Sequence, residues 1–434
     1  MNSRALTKIQ SIILIAIIVV AAVGAAYVLL GGEQESLETI KIGICADLDQ
    51  AGGKSIWQAA VLAAEQVNVE GGVLGRNLTI VAEDDDGETA LDPTIATNAL
   101  TRLITFDEAD FIISYWNGMG YREIAADHKK ILFTVFDNTE ELTQGVLDNY
   151  DRYKYYFRAG VGNLTVNTDT ITDSIRLCRE HTGFNKIALI YTFFVQDMAS
   201  SVIDTLDEYG FDVVLTESFS PNVVDFSSYF ARAEAAGAEI FYPMIFREPL
   251  AIPFVKEYYD RQSPMFIWGG SILGVSKSDF WQLTEGKCEH ITAVGHPVVA
   301  GYPLTSKTVP LRDAYIERWG EKIIGPAAMA YDTIRFILPD AINRAGTIET
   351  EAVIQALEET SVETSNARNF VFTPSHDIMV GKEGPNRLSD DYFFVALFQW
   401  QNGVQVPVYP IELMEEAGAS YTFPDWSGPW DDLD

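Results

Sequence analysis

Residues 47–57, DLDQAGGKSIW, contain Gly53, Lys54 and Ser55, the three residues that close a phosphate-binding loop. The context fits such a loop, because an apolar strand pattern, KIGICADL, precedes it and a helical pattern, SIWQAAVLAAEQVN, follows it. A complete loop also needs a glycine five positions before Gly53, so that backbone N–H groups can surround phosphate oxygens. Leu48 occupies that position, and its side chain disfavours the positive φ that the loop requires. The sequence therefore disfavours a nucleotide hydrolase and predicts that the segment forms the wall of a different site.

Histidines and carboxylates show no other catalytic pattern. The five histidines are scattered without an HExxH pair, and no GxSxG stretch occurs. The acidic run EDDD, residues 83–86, either attracts a metal ion or simply meets water, and we expect water. We therefore expect no enzyme activity, no bound metal and no cofactor.

The three cysteines match no metal-site spacing. Cys45 lies inside the first apolar run and is expected to be a small buried residue. Cys178 and Cys288 either form a disulfide in an oxidising exterior or remain separate thiols.

Composition excludes several classes of protein. With 434 residues, 47% of them hydrophobic and 12% aromatic, the chain has enough material for two globular units. A formal net charge of −32 argues against DNA or RNA binding, which needs a basic face. An acidic surface is instead ordinary for solubility.

The amino terminus predicts a membrane segment. Residues 12–30, IILIAIIVVAAVGAAYVLL, carry no charge and would span the ~30 Å hydrocarbon core as a helix. Arg4 and Lys8 precede it and GGEQESLE follows it, which places residues 1–11 in the cytoplasm and the bulk of the chain outside. The small residues of AVGAA also fit a cleaved signal peptide. We favour an uncleaved anchor, with a linker over residues 31–39.

From Ile40 onwards, apolar strand patterns alternate with amphipathic helix patterns, and this alternation occurs twice. The first series of strands is IKIGICADL, NLTIVAED, ADFIISYW and ILFTVF, with one of its helices over residues 55–69. The second series is NKIALIYTF, FDVVLTESF, AEIFYPMIF and PMFIWGG. Strands this apolar predict parallel sheets covered on both faces. The predicted fold class is therefore α/β, with two doubly wound parallel-sheet lobes.

The rest of the chain completes these lobes. GPAAMAYDTIRFILPDAINRAG has an apolar face at helical spacing and is expected to cover one sheet. YFFVALFQWQNGVQVPVYP reads as further strands, and the aromatic, acidic end YTFPDWSGPWDDLD either lies over a lobe or is disordered. In open parallel sheets, ligands bind at the carboxyl ends of the strands. Two facing lobes would merge their crevices into one cleft.

From about Ile40 to Pro410 the chain resembles the type I periplasmic binding proteins of the leucine, isoleucine and valine group, which deliver solutes to ABC importers. The stretches that carry this resemblance, in order, are KIGICADLDQAGG, AAEQVNVEGGVLGRNLTIVAEDD, LDPTIATNALTRLI, YFRAG, VDFSSYFARAEAAGAEIFY, MAYDTIRFILPDAINRAG and LFQWQNG. The VNVEGGVLGR block is the most specific. The resemblance implies a hinged clamp, with residues 40–157 and 298–365 in the first lobe and residues 158–297 and 366–434 in the second.

The resemblance also implies where a ligand binds. In the family, loops after the third and fourth strands hold an amino acid's carboxylate, and an acidic residue of the second lobe holds its ammonium group. Here the first loop, SYWNGMGYRE, has Asn117 and Gly118 where a hydroxyl is expected, and the second, VFDNTEELT, brings Asp137 and Asn138 near the ligand. The acidic position falls near Ser271, so the ammonium partner is missing. The predicted ligand-binding residues are Asp49, Trp116, Asn117, Gly118, Met119, Asp137, Asn138, Phe194, Phe246, Trp268 and Ser271.

Phe194, Phe246 and Trp268 either line the cleft or pack in a core. Asp137 and Asn117, at the ends of buried strands, are polar and need partners. Aromatic faces beside a carboxylate suit a cation, an amine or a neutral amide. We therefore expect such a ligand to bind more tightly than leucine, isoleucine or valine, unless backbone amides of the NGMG turn hold a carboxylate.

The resemblance implies an extracytoplasmic solute-binding protein of an ABC importer, with an ABC permease and a small solute as partners. The apolar run at residues 12–30 predicts that it is tethered to the cytoplasmic membrane. A receptor ectodomain that uses the same clamp to sense a ligand is the alternative.

Overall fold

The first sheet lies near the amino terminus of the part of the chain that the structure describes. The computed structural model describes residues 38–86, 92–116, 118–162, 164–246, 248–272, 274–275, 279–381 and 391–433. The strands of the first sheet are Ile40–Ala46 (β1), Leu78–Asp84 (β2), Phe111–Ser114 (β3), Ile131–Thr134 (β4) and Tyr156–Arg158 (β5). Its helices are Ala51–Val69 (α1), Pro93–Thr105 (α2), Gly118–His128 (α3), Glu140–Asp148 (α4) and Tyr150–Tyr153 (α5). The strand order is β2-β1-β3-β4-β5, and all pairs are parallel.

The second sheet repeats this arrangement. Its strands are Lys186–Thr192 (β6), Asp212–Phe219 (β7), Ile240–Met244 (β8) and Phe266–Ile267 (β9). Its helices are Leu164–Thr182 (α6), Gln196–Glu208 (α7), Ser227–Ala235 (α8), Glu248–Arg261 (α9) and Phe280–Leu283 (α10), with a 3-10 turn over Phe193–Val195. The order is β7-β6-β8-β9, again all parallel. The prediction of two parallel-sheet α/β units is confirmed.

A third, antiparallel sheet consists of Thr292–Gly295 (β10), Ala396–Gln401 (β11) and Val404–Tyr409 (β12). The remaining helices are Pro297–Ala300 (α11), Thr308–Trp319 (α12), Gly325–Asp332 (α13), Leu338–Ala345 (α14), Thr350–Glu358 (α15) and Ile411–Glu416 (α16). Leu304, Phe394, Ala396, Phe398 and Leu413 form a small apolar cluster beside this sheet.

Neighbouring residues of the buried strands β1, β3 and β4 face opposite cores, as the pleat requires. Ile42 and Ile44 of β1 lie in the larger core of the first sheet, whereas Cys45 lies in the core on its other face. Burial on both faces explains why these strands are apolar without alternation.

Helix α1 begins at Ala51, four residues before the predicted start at Ser55. Gly52 and Gly53 are buried in its first turn. A Cβ on Gly53 would lie 2.1 Å from the carbonyl oxygen of Asp47, so glycine allows the helix to approach the backbone that follows β1. The AGGKS segment is therefore a helical turn and not a loop.

The long helical segment covers the first sheet, as predicted. All six residues of its predicted apolar face belong to the larger core of that sheet, namely Ala327, Ala330, Tyr331, Ile334, Leu338 and Ala341. A π-helical turn over Thr333–Ile337 separates α13 from α14. Pro339 follows this turn and has no N–H to continue the regular hydrogen-bond ladder.

The boundary predicted at residue 366 is wrong. Phe370, Phe372, Ile378 and Phe393 lie in the core of the first lobe, although residues 366–434 were assigned to the second lobe. These side chains are apolar and cover the same face as α13 and α14, so this segment is part of the first lobe.

The carboxyl-terminal end packs on the second lobe. Trp430 is buried, and the indole N–H of Trp426 donates to the carbonyl oxygen of Ser263 at 2.9 Å. The backbone N–H of Thr422 donates to Oε1 of Gln399 at 2.7 Å. Of the two alternatives for this end, the structure shows the one in which it lies over a lobe.

Cys45, Cys178 and Cys288 are free and buried, so the disulfide considered for Cys178 and Cys288 is not formed. Cys178 and Cys288 lie in the cores on opposite faces of the second sheet. Burial raises the pKa of each of these two thiols to about 12, which keeps them protonated at neutral pH.

The predicted anchor at residues 12–30, with residues 1–11 and 31–37 beside it, lies outside the described residues. Within the part of the chain that the structure describes, no helix has the length and apolar character needed to span a bilayer.

Candidate functional site

Most of the predicted first-lobe site residues follow β1, β3 and β4 at the carboxyl edge of the first sheet. Parallel strands end at one common edge, which brings these separate loops together. Asp49 is exposed and Met119 is 44% exposed, whereas Asn138 is half-buried. Asn117 lies outside the described residues. The edge is therefore open to solvent at Asp49 and Met119.

The Asp137 carboxylate is held by groups from two loops. Its Oδ2 accepts a hydrogen bond from the backbone N–H of Gly118 at 2.8 Å. Its Oδ1 accepts from the backbone N–H of Thr139 at 3.0 Å and from the Thr139 hydroxyl at 2.6 Å. Gly118 begins α3, where the helix dipole favours a negative charge. Asp137, which is only 8% exposed, thus connects the loop after β4 to the start of α3.

Three aromatic rings, those of Tyr115, Trp116 and Phe136, cluster where β3 and β4 end. The Trp116 ring is 5.0 Å from the Tyr115 ring and 4.9 Å from the Phe136 ring, centroid to centroid, and the latter pair is edge-to-face. Trp116 and Phe136 are half-buried. Such pairs stabilise beyond their buried area and offer an aromatic surface at the ends of β3 and β4.

Arg158, at the end of β5, binds the backbone of the Asp137 loop from its buried side. It is not among the residues predicted from the sequence. Its Nε donates to the backbone oxygen of Asp137 at 2.7 Å, and its Nη2 donates to the backbone oxygen of Thr139. Its Nη1 lies 2.6 Å from Oδ2 of Asp377, and the Arg158 side chain is fully buried. The available signal was an arginine in the apolar stretch YFRAG, because a charge there requires buried partners.

The second lobe contributes aromatic residues at the carboxyl edge of its own sheet. Phe193 follows β6 and is 55% exposed, which sequence reasoning also missed. Phe246 follows β8, is half-buried, and donates its backbone N–H to the Thr192 hydroxyl at 3.2 Å. Phe194 belongs to the same 3-10 turn as Phe193, but the structure does not describe its side chain.

Ser271 and Trp268 follow β9 but differ in exposure. Ser271 is half-buried, and its backbone oxygen accepts from the N–H of Ile245 at 2.8 Å. Trp268 is fully buried in the core of the second lobe, and its indole N–H donates to the backbone oxygen of Ser174 at 3.0 Å. Of the two alternatives for Trp268, the structure shows packing in a core.

The acidic run at the end of β2 meets a carboxylate that follows β1. Asp47, Asp84 and Asp86 offer oxygens that lie within 4.8 Å of one another. The backbone N–H of Asp86 donates to Oδ1 of Asp84 at 3.0 Å, which shapes this turn. The cluster adds negative charge to the same edge of the sheet as Asp137.

Lys54, the lysine of the AGGKS segment, forms an ion pair with Glu321. Its Nζ lies 3.4 Å from Oε1 of Glu321, and both side chains are about half exposed. Its partner, Glu321, lies between α12 and α13. The pairing gives Lys54 a role on the surface of the lobe.

Comparison with known proteins agrees with this architecture. A family model described as "Periplasmic binding protein" matches residues 39–382. The Leu/Ile/Val-binding protein homolog 7 of Brucella melitensis is 27% identical over 373 residues, which cover 80% of this chain and 85% of that protein.

Two solved structures share the fold. The substrate-binding protein LivJ of Streptococcus pneumoniae, in complex with isoleucine, has a TM-score of 0.68 at 18% identity and covers 85% of this chain and 100% of its own. A solute-binding protein of R. palustris, in complex with benzoate, also has a TM-score of 0.68, at 17% identity, with 85% of this chain and 95% of its own covered. Because the family model matches most of the sequence, this chain belongs to the periplasmic binding protein family.

Proposed function

We propose that this chain is the extracytoplasmic solute-binding component of an ABC importer. It captures a small polar solute, either an amino acid or an amide- or amine-like molecule, between its two lobes by hinge closure. The observation that carries the proposal is the placement of polar and aromatic side chains at the carboxyl edges of both parallel sheets, with Asp137 in the first lobe and Phe193 in the second. Closing such edges over a solute excludes water and strengthens its polar contacts.

The third sheet supports the hinge. Phe394 and Phe398 belong to the small cluster beside it, which also contains Leu304. Phe393 lies in the core of the first lobe and Leu397 in a core of the second, so the chain passes between the lobes here. A connection this small allows one lobe to rotate against the other without disrupting either core. Domain closure around a ligand commonly relies on a few such linking residues.

A panel of amino acids, amides, amines and sugars tests the proposal by thermal shift and small-angle X-ray scattering. A solute at 100 times its dissociation constant should stabilise the folded protein by about 2.7 kcal/mol. The same solute should reduce the radius of gyration, because the lobes close. A solute that stabilises without compaction would contradict hinge closure, and a panel without any stabilising member would contradict the proposed solute class.

We also propose that residues 12–30 tether the protein to the cytoplasmic membrane, next to an ABC permease. The full chain should then remain with membranes after a high-salt wash, because an apolar helix of this length is not released by salt. Amino-terminal sequencing of the native protein distinguishes an anchor from a signal peptide. A chain that begins after Gly24 or Ala26 and is found free in the medium would show cleavage.

A further inference from the structure

We propose that the Asp137 carboxylate occupies the anion-binding position of the cleft, so that the solute presents no carboxylate to the first lobe. This inference rests on the proposed function, since it names the class of solute that the same site takes. Asp137 lies where the loops after β3 and β4 meet the start of α3.

The hydrogen-bond donors around Asp137 are already in use. The start of α3 and the loop after β4 form a cradle of the kind that binds anions at helix N-termini. Three donors of this cradle, the Gly118 N–H, the Thr139 N–H and the Thr139 hydroxyl, already donate to Asp137 at 2.8, 3.0 and 2.6 Å. A second carboxylate would find these donors in use and a negative charge beside them.

Buried contacts hold the Asp137 loop in place. Arg158 binds the backbone oxygens of Asp137 and Thr139 from the buried side, and it pairs with Asp377. Space around Gly118 is also limited, because a Cβ there would lie 2.5 Å from Cδ1 of Leu142 and 2.7 Å from Oδ2 of Asp137. Asp137 cannot leave this position without breaking several buried contacts.

The carboxyl edge of the first sheet carries further negative charge around Asp137. Asp47, Asp84 and Asp86 lie close together after β1 and β2, and the exposed Asp49 follows β1. Their repulsion disfavours an anionic group further, because charges are screened less at a closed cleft than in water. The aromatic rings of Trp116 and its neighbours suit an amide or a cation instead.

Two of the solved neighbours hold isoleucine and benzoate, both of which carry a carboxylate. In this chain the Asp137 carboxylate already accepts from the donors at this position. The expected solutes are therefore hydrogen-bonding molecules with a neutral or cationic group at this end, for which leucinamide serves as the probe and leucine as the carboxylate comparison.

Isothermal titration calorimetry with the two probes is the first test. The wild-type protein should bind leucinamide at least tenfold more tightly than leucine. Asp137→Asn keeps the size of the side chain but removes its charge, so the preference for leucinamide should fall toward equality. Tighter binding of leucine than of leucinamide by the wild-type protein would overturn the inference.

Chemical rescue is the second test, and it does not require a cleft ligand. Asp137→Ala removes the carboxylate and leaves a space that formate fits, so formate should raise the unfolding temperature of this variant more than chloride at equal ionic strength. Asp225→Ala is the matched control, because Asp225 accepts from the Ser227 N–H at 2.8 Å and hydroxyl at 2.6 Å in the same local motif, but on an exposed loop. Formate should have no specific effect on this control or on the wild-type protein.

The two tests separate the inference from the proposed function. An equal response of Asp137→Ala and Asp225→Ala to formate would show that the loops form no anion position and would overturn the inference. If no member of the solute panel binds, the proposed function fails, while specific rescue of Asp137→Ala would still support an anion position filled by Asp137.

Discussion

Arg158 and Asp377 form a buried ion pair, with Nη1 of the arginine 2.6 Å from Oδ2 of the aspartate. Their side chains are 0% and 6% exposed, and their positions in the chain differ by 219. Burial raises the pKa of Asp377 to about 6, while the adjacent guanidinium acts in the opposite direction. The pair joins the last strand of the first sheet to the late segment that returns to the same lobe, and it supports the Asp137 loop.

Arg158→Met should destabilise the protein by about 3–5 kcal/mol at pH 7, because Asp377 would be left buried without its partner. Urea unfolding measures this loss. Lys256→Ala, which breaks an exposed pair with Glu285 at 2.8 Å, is the control and should cost much less. Similar losses in the two variants would contradict a structural role for the buried pair.

We expect the buried carboxyl of Asp332 to make the stability of the folded protein depend on pH. Burial raises its pKa to about 6, although Ser365 and Asn366 donate hydrogen bonds to it and act in the opposite direction. A carboxyl with a raised pKa in the folded state contributes stability below its unfolded pKa of about 4, and this contribution is lost as the pH rises through 6.

The stability of the wild-type protein relative to Asp332→Asn should therefore fall by roughly 2 to 3 kcal/mol between pH 4 and pH 7, at 1.36 kcal/mol for each pKa unit. Urea unfolding of both proteins at the two pH values checks this, and subtracting the variant cancels the other titrating groups. A difference that does not change with pH would refute the assignment.

Lys54→Ala should leave folding and solute binding nearly unchanged, because Lys54 forms only an exposed pair with Glu321. Magnesium and ATP should produce no thermal shift in the wild-type protein. A shift equivalent to about 2.7 kcal/mol at saturating nucleotide would reveal a phosphate site and contradict the clamp as the whole function.

Trp268 and Phe193 should respond differently to truncation. Trp268→Ala should cost about 3–5 kcal/mol, because it empties a fully buried position in the second lobe. Phe193→Ala should change stability little, since that side chain is 55% exposed. Urea unfolding of both variants measures this. A stable Trp268→Ala protein that loses solute binding would instead place Trp268 in the cleft.

The sequence alone determined the two parallel-sheet units, because burial on both faces leaves a strong apolar pattern in strands such as β1, β3 and β4. The apolar face from Ala327 to Ala341 was also readable, since helical spacing is a local property. The resemblance to the binding-protein family, and not a local pattern, singles out Asp137 and Trp116, and both follow strands whose carboxyl ends meet at one edge.

Only the tertiary structure decided what those residues contact. The donors to Asp137 come from its own loop and from Gly118, and the arginine beneath it reaches across to Asp377. Long-range pairing of this kind depends on how separate segments pack, and no local pattern encodes it. For the same reason the sequence could not decide the boundary near residue 366 or the burial of Trp268, because a late apolar segment and a strand-end aromatic show their packing partners only after folding.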